Sequence, residues 1–526
     1  MTAQHDAIII GGGHNGLTCA AYLARAGKRV VVVEAADQVG GAARTAAITD
    51  GFKVSGCAHI LHLLHPKVAG DLDLARHGLS YSTSDMPTIA LAADGRHLTL
   101  SNDTAATADA LKAHSAADAT AYPTLHGSLS RFAAALQPFL AKVPPRLGTA
   151  NWSDRLTLIK LGWAIRRLGR DDMREFLRVV AMNVADLLED ELESNLLKGA
   201  IAFDAVLGTH LGPRSPNSML TYLYRLAGEG GATNGALRHP KGGMGGFAQA
   251  LTAAARDAGA EIRTGDPVAR ILVAHDRATG VALASGETLT ARCVVSNADP
   301  RTTFLELLGP AHLDTGFVRR VNNIRMRGNA AKLHLALDAL PTFTGLESAQ
   351  LGARLLIAPS VDYVENAFNH AKYGEFSEEP AIEITLPSVH DASLAPEGKH
   401  VLSAIVQYAP YALKAGWDQA RDAFADTAVK TIAAYAPGLE DLIVERQVIT
   451  PLDLERDYGM TGGHWHHGEL AIDQMFMLRP VPGAAQYTTP LSGLYLCGAG
   501  AHPGGGVMGV AGMNAAQQVI ATEVTQ

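Results

Sequence analysis

The sequence of 526 residues lacks most features that mark a nucleic-acid-binding or disulfide-stabilised protein. Its 44 lysine and arginine residues are outnumbered by 52 aspartate and glutamate residues, so no overall positive field exists to attract phosphate backbones. Only four cysteines occur, far apart and without a CxxC pair, which excludes a redox dithiol and fits a reducing compartment. We therefore expect a small-molecule partner and no nucleic acid.

The sequence also has little that would span a membrane or direct export. The first residues, MTAQHDAIII, contain no basic segment followed by a cleavable apolar stretch, and no run of about 20 apolar residues occurs. Residues 481–522 contain no Asp, Glu, Lys or Arg, but their glycines, their prolines and His502 argue against a lipid-facing helix. We expect a cytoplasmic location. At this length, with 47% hydrophobic residues, the chain should form two or more folding units.

The amino-terminal stretch has the pattern of a strand, a glycine turn, a helix and a second strand. Residues 6–10 form a short apolar run that suits a buried parallel strand, and residues 17–26 are alanine-rich and helical in pattern. Residues 29–33 are rich in valine and predict the second strand. This order is typical of a βαβ nucleotide-binding unit.

The glycines of the turn and one acid specify what the unit binds. Gly11, Gly13 and Gly16 follow the GxGxxG register, and Glu34 ends the second strand, where an acid can hydrogen-bond a ribose. Bare backbone admits a pyrophosphate, and the N-terminus of the helix attracts its charge. The pattern predicts a dinucleotide site, with a structural glycine turn as the alternative. The predicted contacts are Gly11, Gly13, His14, Asn15, Gly16, Glu34 and Ala35.

A second glycine pair, Gly40 and Gly41, follows the acid. An NAD site needs no such pair, whereas a longer cofactor that carries a flavin needs a further loop of close backbone approach. The acid, the glycine pair and Thr45 together resemble the amine oxidase and phytoene desaturase superfamily of FAD proteins. The resemblance implies FAD, with the loop in contact with the flavin. Many relatives place an arginine directly after the glycines, where this chain has Ala42. The implied contacts are Gly40, Gly41, Ala42 and Arg44.

Motifs along most of the chain carry the same resemblance. They include GGGHNGL, VGGAART, PKGGMGG, VVSNADP, TPLDLER, RPVPG and LYLCGAGAHPGGGVMGVAGMNAA. As a set they are specific, and within the superfamily they are similar to the family of pyridine nucleotide-disulfide oxidoreductase domain-containing protein 2 and its bacterial relatives. That family name promises a redox disulfide, which the cysteine spacing of this chain cannot provide. The resemblance implies FAD and no dithiol.

Two later segments complete the predicted cofactor site. Residues 240–273 have the pattern of a glycine loop, a helix over 247–257 and strands; they resemble the part of the superfamily that covers the adenine end, with Val268 as a backbone clamp. Residues 494–497 predict a strand, followed by glycines and a helix over 507–520 that aims N–H groups at the flavin pyrimidine. A flexible glycine linker is the alternative. The predicted contacts are Gly243, Met244, Val268, Asn297, Gly498, Ala499, Pro503, Gly505, Gly506, Val507 and Met508.

These patterns predict an α/β protein with a discontinuous Rossmann-like FAD-binding domain and an α+β substrate domain, which combines a mixed sheet with a helical lid. The FAD-binding domain comprises residues 1–75, 236–300 and 474–526, and the substrate domain comprises residues 76–235 and 301–473.

The predicted lid contains a basic helical stretch. Leu158, Leu161, Ile165 and Leu168 share one stripe, and five arginines lie around it. One interpretation is a solvated lid helix. The other is a peripheral membrane contact through residues 155–178, by which a lipophilic substrate enters. The arginines are Arg155, Arg166, Arg167, Arg170 and Arg174.

Histidines supply the candidate catalytic groups. His502 precedes the flavin-facing glycines and could exchange a proton near neutral pH or only orient the loop, and His59 follows the second glycine pair. We predict no metal site, because His59, His62 and His65 would drift around a helix and the histidines of 464–467 lie in a loop without evident partners.

The sequence thus predicts an FAD-dependent oxidoreductase that removes hydride from carbon of a mainly apolar small molecule and passes it to flavin N5. The flavin performs the hard chemistry, which explains why no catalytic triad stands out. The alternatives are an FAD-dependent amine oxidase acting on a C–N bond, a flavin-containing interaction protein without turnover, and a dehydrogenase that uses NAD alone.

Overall fold

Two seven-stranded β-sheets organise the computed structural model, which describes residues 4–148, 151–232 and 236–524. Two further sheets in the described residues have two strands each. The strands are β1 His5–Ile10, β2 Val30–Val33, β3 Thr45–Thr49, β4 Phe52–Ser55, β5 Tyr81–Met86, β6 Thr88–Leu91, β7 His97–Leu100, β8 Leu237–Pro240, β9 Glu261–Arg263, β10 Val268–Ala274, β11 Arg277–Leu283, β12 Thr288–Ser296, β13 Ala330–Leu337, β14 Arg354–Ile357, β15 Ala381–Thr385, β16 His400–Gln407, β17 Ile443–Ile449 and β18 Leu494–Leu496.

Helices cover the faces of both sheets. Within the part of the chain that the structure describes, no helix is both long and apolar enough to cross a bilayer. The helices are α1 His14–Arg25, α2 Pro66–Asp71, α3 Thr104–Leu111, α4 Ala116–Leu140, α5 Trp152–Arg166, α6 Arg170–Val179, α7 Val184–Glu191, α8 Asn195–Val206, α9 Ser218–Ala232, α10 Met244–Asp257, α11 Thr315–Asn322, α12 Val361–Lys372, α13 Trp417–Ala433, α14 Pro451–Tyr458 and α15 Val510–Val524.

The first sheet has the order β10-β11-β12-β1-β2-β9, and β18 adds to β12. Strands β1, β2, β9, β12 and β18 run parallel, and Ile8 pairs with both Val31 and Val294. Strand β2 consists of four buried valines, as a strand covered on both faces requires. The strands come from residues 5–33, 261–296 and 494–496, so three distant segments build one sheet. The α/β architecture predicted from the sequence is confirmed, and its domain boundaries stay a prediction.

The first and last helices cross at close range. A Cβ atom on Gly512 of α15 would lie 2.1 Å from the carbonyl oxygen of Asn15 in α1, so only glycine fits this crossing. The prediction that the last helix begins at Val507 is wrong: it begins at Val510. Val507 has a φ of 60° and Gly509 a φ of 73°, and residues in this left-handed region do not continue a right-handed helix.

The second sheet has the order β17-β13-β16-β15-β14-β6-β7 and is mostly antiparallel. Its central strands β13, β14, β15 and β16 are buried on both faces. Leu333 on β13, Ile382 on β15 and Leu402 on β16 belong to an apolar core that also contains Trp417 of α13. The residues between them, among them Lys332, point to the opposite face, which lies towards the first sheet. This alternation puts polar groups at the junction of the two sheets.

Helices α3 to α9 form the predicted helical part of the substrate region. Helices α8 and α9 are largely buried and pack against each other, with Leu197, Phe203 and Leu223 in the main core. Helix α5 differs from them, because none of its residues is buried. It begins after Asn151, whose side chain accepts a hydrogen bond from the Ser153 N–H at 2.8 Å and so caps the helix.

Candidate active site

The two amino-terminal glycine loops lie against each other. The Gly40 N–H donates to the Gly12 carbonyl at 2.8 Å, and a Cβ on Gly41 would lie 3.2 Å from the Cα of Gly13. A Cβ on Gly13 would lie 2.8 Å from the Asn297 side-chain nitrogen, and one on Gly16 would lie 2.1 Å from a carbonyl oxygen. The loops therefore form a groove of bare main chain in which side chains do not fit.

The N-terminus of α1 opens beside this groove. Among the described residues, no side chain caps the helix and no acid lies in its first turn, so its N–H dipole end is not neutralised. The Glu34 carboxylate accepts hydrogen bonds from the Gly12 N–H at 2.6 Å and the Ala36 N–H at 2.9 Å, which fixes it at the edge of the groove. An uncapped helix start, bare loops and an anchored acid fit the pyrophosphate and ribose of a dinucleotide.

The N-terminus of α10 shows the opposite arrangement. The Met244 N–H donates to the Ser55 hydroxyl at 3.0 Å, and the Gly245 N–H donates to the Thr45 hydroxyl at 2.9 Å. A Cβ on Gly243 would come within 2.9 Å of both hydroxyl oxygens. The start of α10 is thus already capped by β3 and β4, and the cofactor contacts predicted for Gly243 and Met244 stay a prediction.

The carboxyl-terminal glycine loop joins the same place. The Asn297 N–H donates to the Ile10 carbonyl, and the Cys497 N–H donates to the Ser296 carbonyl, both at 2.8 Å. A Cβ on Gly498 would lie 2.5 Å from the Asn297 oxygen. The loops after β1, β12 and β18 therefore meet at the carboxyl ends of their parallel strands, which is where open α/β sheets bind their ligands.

A cleft of about 1050 Å³, counted to its open mouth, lies between the glycine loops and the second sheet. One wall is formed by residues that the sequence predicted near the flavin, and the other by apolar side chains of the substrate region. The predicted residues in the wall are His14, Ala42, His59, Ala499, Gly505, Gly506 and Val507. The apolar residues opposite them include Ile60, Leu63, Leu207, Ile405, Trp465 and Leu470.

Several residues that the sequence predicted to contact the cofactor do not line this cleft, among them Arg44, Val268, Pro503 and Met508. The Arg44 guanidinium donates to the Asp457 carbonyl at 2.9 Å and stacks 4.2 Å from the centroid of the Tyr458 ring. Val268 begins β10 at the sheet edge, with β11 and β12 between it and β1. The Met508 carbonyl accepts from the His65 N–H at 3.1 Å, and Pro503 is buried next to His502.

The floor of the cleft is a chain of buried polar side chains. Lys332 Nζ lies 2.8 Å from His59 Nδ1, and His59 Nε2 lies 2.6 Å from a Glu383 oxygen. The other Glu383 oxygen accepts from Arg354 Nε at 2.6 Å, and Arg354 also pairs with Asp204 at 2.5 Å. Because lysine is a donor here, the geometry assigns the proton of neutral His59 to Nε2, which donates to Glu383.

Burial and neighbouring charges set the protonation of this floor. Burial, reinforced by Lys332, lowers the pKa of His59 to about 4. Burial lowers the pKa of Lys332 to about 7, so both its charged and neutral forms are populated near neutrality. Burial opposes ionisation of Glu383, but Arg354 and His59 outweigh it and hold its pKa well below the usual range. His59 is therefore a neutral bridge between a titrating amine and a fixed carboxylate.

Sequence reasoning identified His59 but missed its partners. Lys332, Glu383, Arg354 and Asp204 lie on four separate elements, which sheet register and helix packing bring together. A signal was present: a lysine in the apolar strand AAKLHLAL is costly to bury unless it has partners.

A second set of polar side chains leads from the cleft to a neighbouring cavity. His62 lines the cleft, and its Nε2 lies 3.6 Å from the Glu229 carboxylate, which pairs with Arg225 Nε at 2.9 Å. Burial lowers the pKa of His62 well below its ordinary value. Burial raises the pKa of Glu229 to about 7, although Arg225 opposes the shift. Glu229 also lines a neighbouring polar cavity, so this pair connects two cavities.

His502 is buried outside the set of residues that line the cleft. Its Nε2 lies 2.9 Å from the Phe139 carbonyl, and its own carbonyl accepts from the Tyr487 hydroxyl at 2.8 Å. Burial lowers its pKa to about 4, which keeps the ring neutral. The structure thus gives His502 an orienting contact, and a catalytic role for it stays a prediction. In the described ranges, no group of three His, Cys, Asp or Glu residues has an arrangement that could hold a metal ion.

The family model of flavin-containing amine oxidoreductases matches residues 16–520. The chain belongs to this family. FAD is its cofactor, and the predicted class of enzyme, an FAD-dependent oxidoreductase, is confirmed. The bare groove, the uncapped α1 and the anchored Glu34 are the features of this structure that fit FAD.

Individual relatives agree with this assignment. The chain is 37% identical to pyridine nucleotide-disulfide oxidoreductase domain-containing protein 2 of Mus musculus, over 99% of this chain and 94% of the relative. It is 26% identical to a limonene dehydrogenase subunit of Castellaniella defragrans, over 98% and 94%. In fold it is similar to cyclohexylamine oxidase of Brevibacterium oxydans, with a TM-score of 0.57, 17% identity and coverage of 99% and 100%. All four cysteines of the chain are buried free thiols, and the fold brings the side chains of Cys19 and Cys497 into hydrogen-bond contact.

Proposed function

We propose that the enzyme removes hydride from a carbon atom of a mainly apolar, uncharged small molecule, in a dehydrogenation or desaturation. The observation that carries this proposal is the character of the cleft. Its outer wall is apolar, and both carboxylates that line it, Asp204 and Glu383, are paired with Arg354. An ammonium group would have to compete with a buried arginine for either carboxylate, which disfavours a cationic substrate.

The names of two relatives support the same type of substrate. One relative over nearly the whole chain is named as part of a limonene dehydrogenase, and limonene is an apolar hydrocarbon. A further relative, a phytoene desaturase of Pantoea ananas, is 26% identical over 64% of this chain. These names support an alkene or related apolar molecule as the substrate class.

Different residues of the cleft have different roles in such a reaction. FAD supplies the hydride acceptor when it is bound. The apolar wall with Ile60, Leu207 and Leu470 excludes water and holds the donor carbon. The second hydrogen leaves as a proton and needs an acceptor; His62 lines the cleft, and the Glu229 carboxylate behind it, with a pKa of about 7, takes up the proton. We assign proton removal towards the neighbouring polar cavity to this pair.

Oxidation of an amine is the second candidate, and one observation favours it. Tyr224 and Trp465 both line the cleft, and aromatic faces attract ammonium groups. The Tyr224 hydroxyl, however, donates to the Gly505 carbonyl at 2.7 Å, which ties this ring to the glycine loop.

Anaerobic reduction of the holoenzyme separates the two candidates. We expect neutral alkenes and terpenes to bleach the flavin absorbance near neutral pH, and primary amines of equal size to leave it unchanged. The Glu229→Gln variant should slow the bleaching while FAD content stays at wild-type level. Reduction by amines and by no alkene would overturn the proposal in favour of amine oxidation.

A further inference from the structure

Helix α5 carries an apolar stripe that faces solvent. Trp152, Leu156, Ile159 and Trp163 follow the spacing i, i+4, i+7 and i+11, which places them within about 60° of the helix circumference. Their exposed fractions are 69%, 39%, 59% and 59%. Leu147, just before the helix, is 60% exposed as well. Two tryptophans and two aliphatic side chains of α5 thus form one exposed stripe, which we call the α5 outer stripe.

Cationic side chains border the α5 outer stripe. Lys160 and Arg167 lie on one side of it and Arg155 and Arg166 on the other, at the angles that about 3.6 residues per turn dictate. The Arg167 guanidinium stacks 4.5 Å from the centroid of the Trp163 ring. Asp154, the one acid in the sequence of α5, is turned inwards and accepts from the Gln486 side chain. The outer surface of the helix therefore combines apolar bulk with positive charge, in a chain whose net charge is −8.

The inner face of the same helix covers an apolar cavity of about 720 Å³. Twelve of the fifteen residues that line this cavity are apolar, including Leu161 and Ile165 of α5, Phe139 and Phe176. His502 lies at its boundary, next to the glycine loop of the cleft. Helix α5 is therefore a thin wall between solvent and an apolar space that extends towards the cofactor.

These features select a lipid surface over a protein partner. Tryptophan with arginine or lysine on either side is the composition of helices that lie in a membrane interface, where the rings enter the acyl boundary and the cations meet phosphates. In a two-fold pair of copies of this chain, the same cations would face each other and repel. Anionic lipid headgroups instead complement them.

We propose that the α5 outer stripe docks on the surface of an anionic bilayer, with α5 parallel to the membrane plane. The outer side chains enter the headgroup region, and the apolar cavity behind the helix then opens next to the lipid. This inference is independent of the proposed function, since docking is measured without any substrate.

The test uses the full-length holoenzyme and vesicles of phosphatidylcholine with or without phosphatidylserine. We expect co-sedimentation with the phosphatidylserine vesicles, a blue shift of tryptophan emission, and a decrease of binding as salt rises. The Trp152→Ala/Trp163→Ala variant should bind at least about tenfold more weakly, because each ring contributes on the order of the free energy of one buried aromatic side chain. The Lys160→Glu/Arg166→Glu variant should lose the preference for phosphatidylserine.

Matched controls come from exposed residues far from α5. Tyr373→Ala removes a ring that is 76% exposed, and Lys414→Glu reverses an exposed cation; both should bind vesicles like the wild type. FAD content verifies that every variant is folded. The proposal is overturned if the wild type does not bind vesicles, if the α5 variants bind as well as the controls, or if the wild type dimerises through α5.

Discussion

The glycine groove beside the cleft and the floor of the cleft are built from different parts of the chain. The cofactor side consists of main chain, where Gly12, Gly13, Gly40 and Gly41 lie too close for side chains. The floor consists of polar and charged side chains in contact, from Lys332 through neutral His59 and Glu383 to Arg354 and Asp204. Main chain can be specified by one residue type in one loop, whereas the floor needs partners from several elements. From this difference we expect substitutions on the cofactor side to prevent FAD binding by steric exclusion. We expect substitutions in the floor to destabilise the fold by removing the partner of a charge.

The largest effect is expected from Gly13→Val. The new side chain would meet the Asn297 amide and occupy the groove between the glycine loops, so FAD cannot enter. We expect affinity for FAD to fall by at least about a thousandfold, or about 4 kcal/mol. The measurement is flavin released per chain after denaturation, followed by reconstitution with added FAD.

The matched control for this change is Gly70→Ala. Gly70 lies on α2, and a Cβ there meets no atom within 4 Å, so FAD content should stay at wild-type level. Stoichiometric flavin in Gly13→Val would show that the glycine turn is not the cofactor groove.

The Arg354→Met variant tests the floor. It removes the cation that Glu383 and Asp204 share, so buried Glu383 keeps only neutral His59 and partly buried Asp204 keeps only Arg225, at 3.7 Å. Loss of one partner of a buried ion pair costs about 3–5 kcal/mol, so the free energy of unfolding should fall by that amount. The measurement is chemical denaturation near pH 7. The Arg446→Met variant, which breaks an exposed pair with Asp426, should cost about 0–1 kcal/mol. Equal losses in the two variants would contradict the distinction between floor and surface.

An effect that is smaller per pH unit concerns the pH dependence of stability through Lys332. Its pKa is about 7 in the fold and near 10.5 when unfolded, so between these values the unfolded chain binds the extra proton. The contribution of Lys332 to stability therefore rises with pH in that window, by at most about 1.4 kcal/mol per pH unit. Lys332→Met should flatten this part of the curve. Denaturation at several pH values from 7 to 10 measures it, and an unchanged slope would show that Lys332 stays charged in the fold.

The comparison also explains what the sequence could reveal. Gly11, Gly13, Gly16 and Glu34 were predicted because their spacing is local and each satisfies a demand of the backbone. The floor was not, because Lys332 and Glu383 meet only through the register of β13, β16 and β15. Sequence period alone does not specify which strands become neighbours.

Helix α5 shows a second limit. The stripe predicted from Leu158, Leu161, Ile165 and Leu168 is the partly buried one, and two of its members line the apolar cavity. The outer stripe was not predicted from the sequence; it begins with Trp152, directly after the cap. When a helix is apolar on two sides, periodicity does not tell which side packs on the protein.

The crossing of α15 over α1 at Gly512 has a consequence for biosynthesis. Strand β18, the last glycine loop and α15 follow all the other strands of both sheets in the chain, yet they complete a wall of the cleft against the first helix. A nascent chain that lacks residues 494–524 lacks the carboxyl-terminal glycine loop, so the cofactor groove is open on that side. The complete cleft therefore forms only after this segment has been synthesised and has docked on β12 and α1.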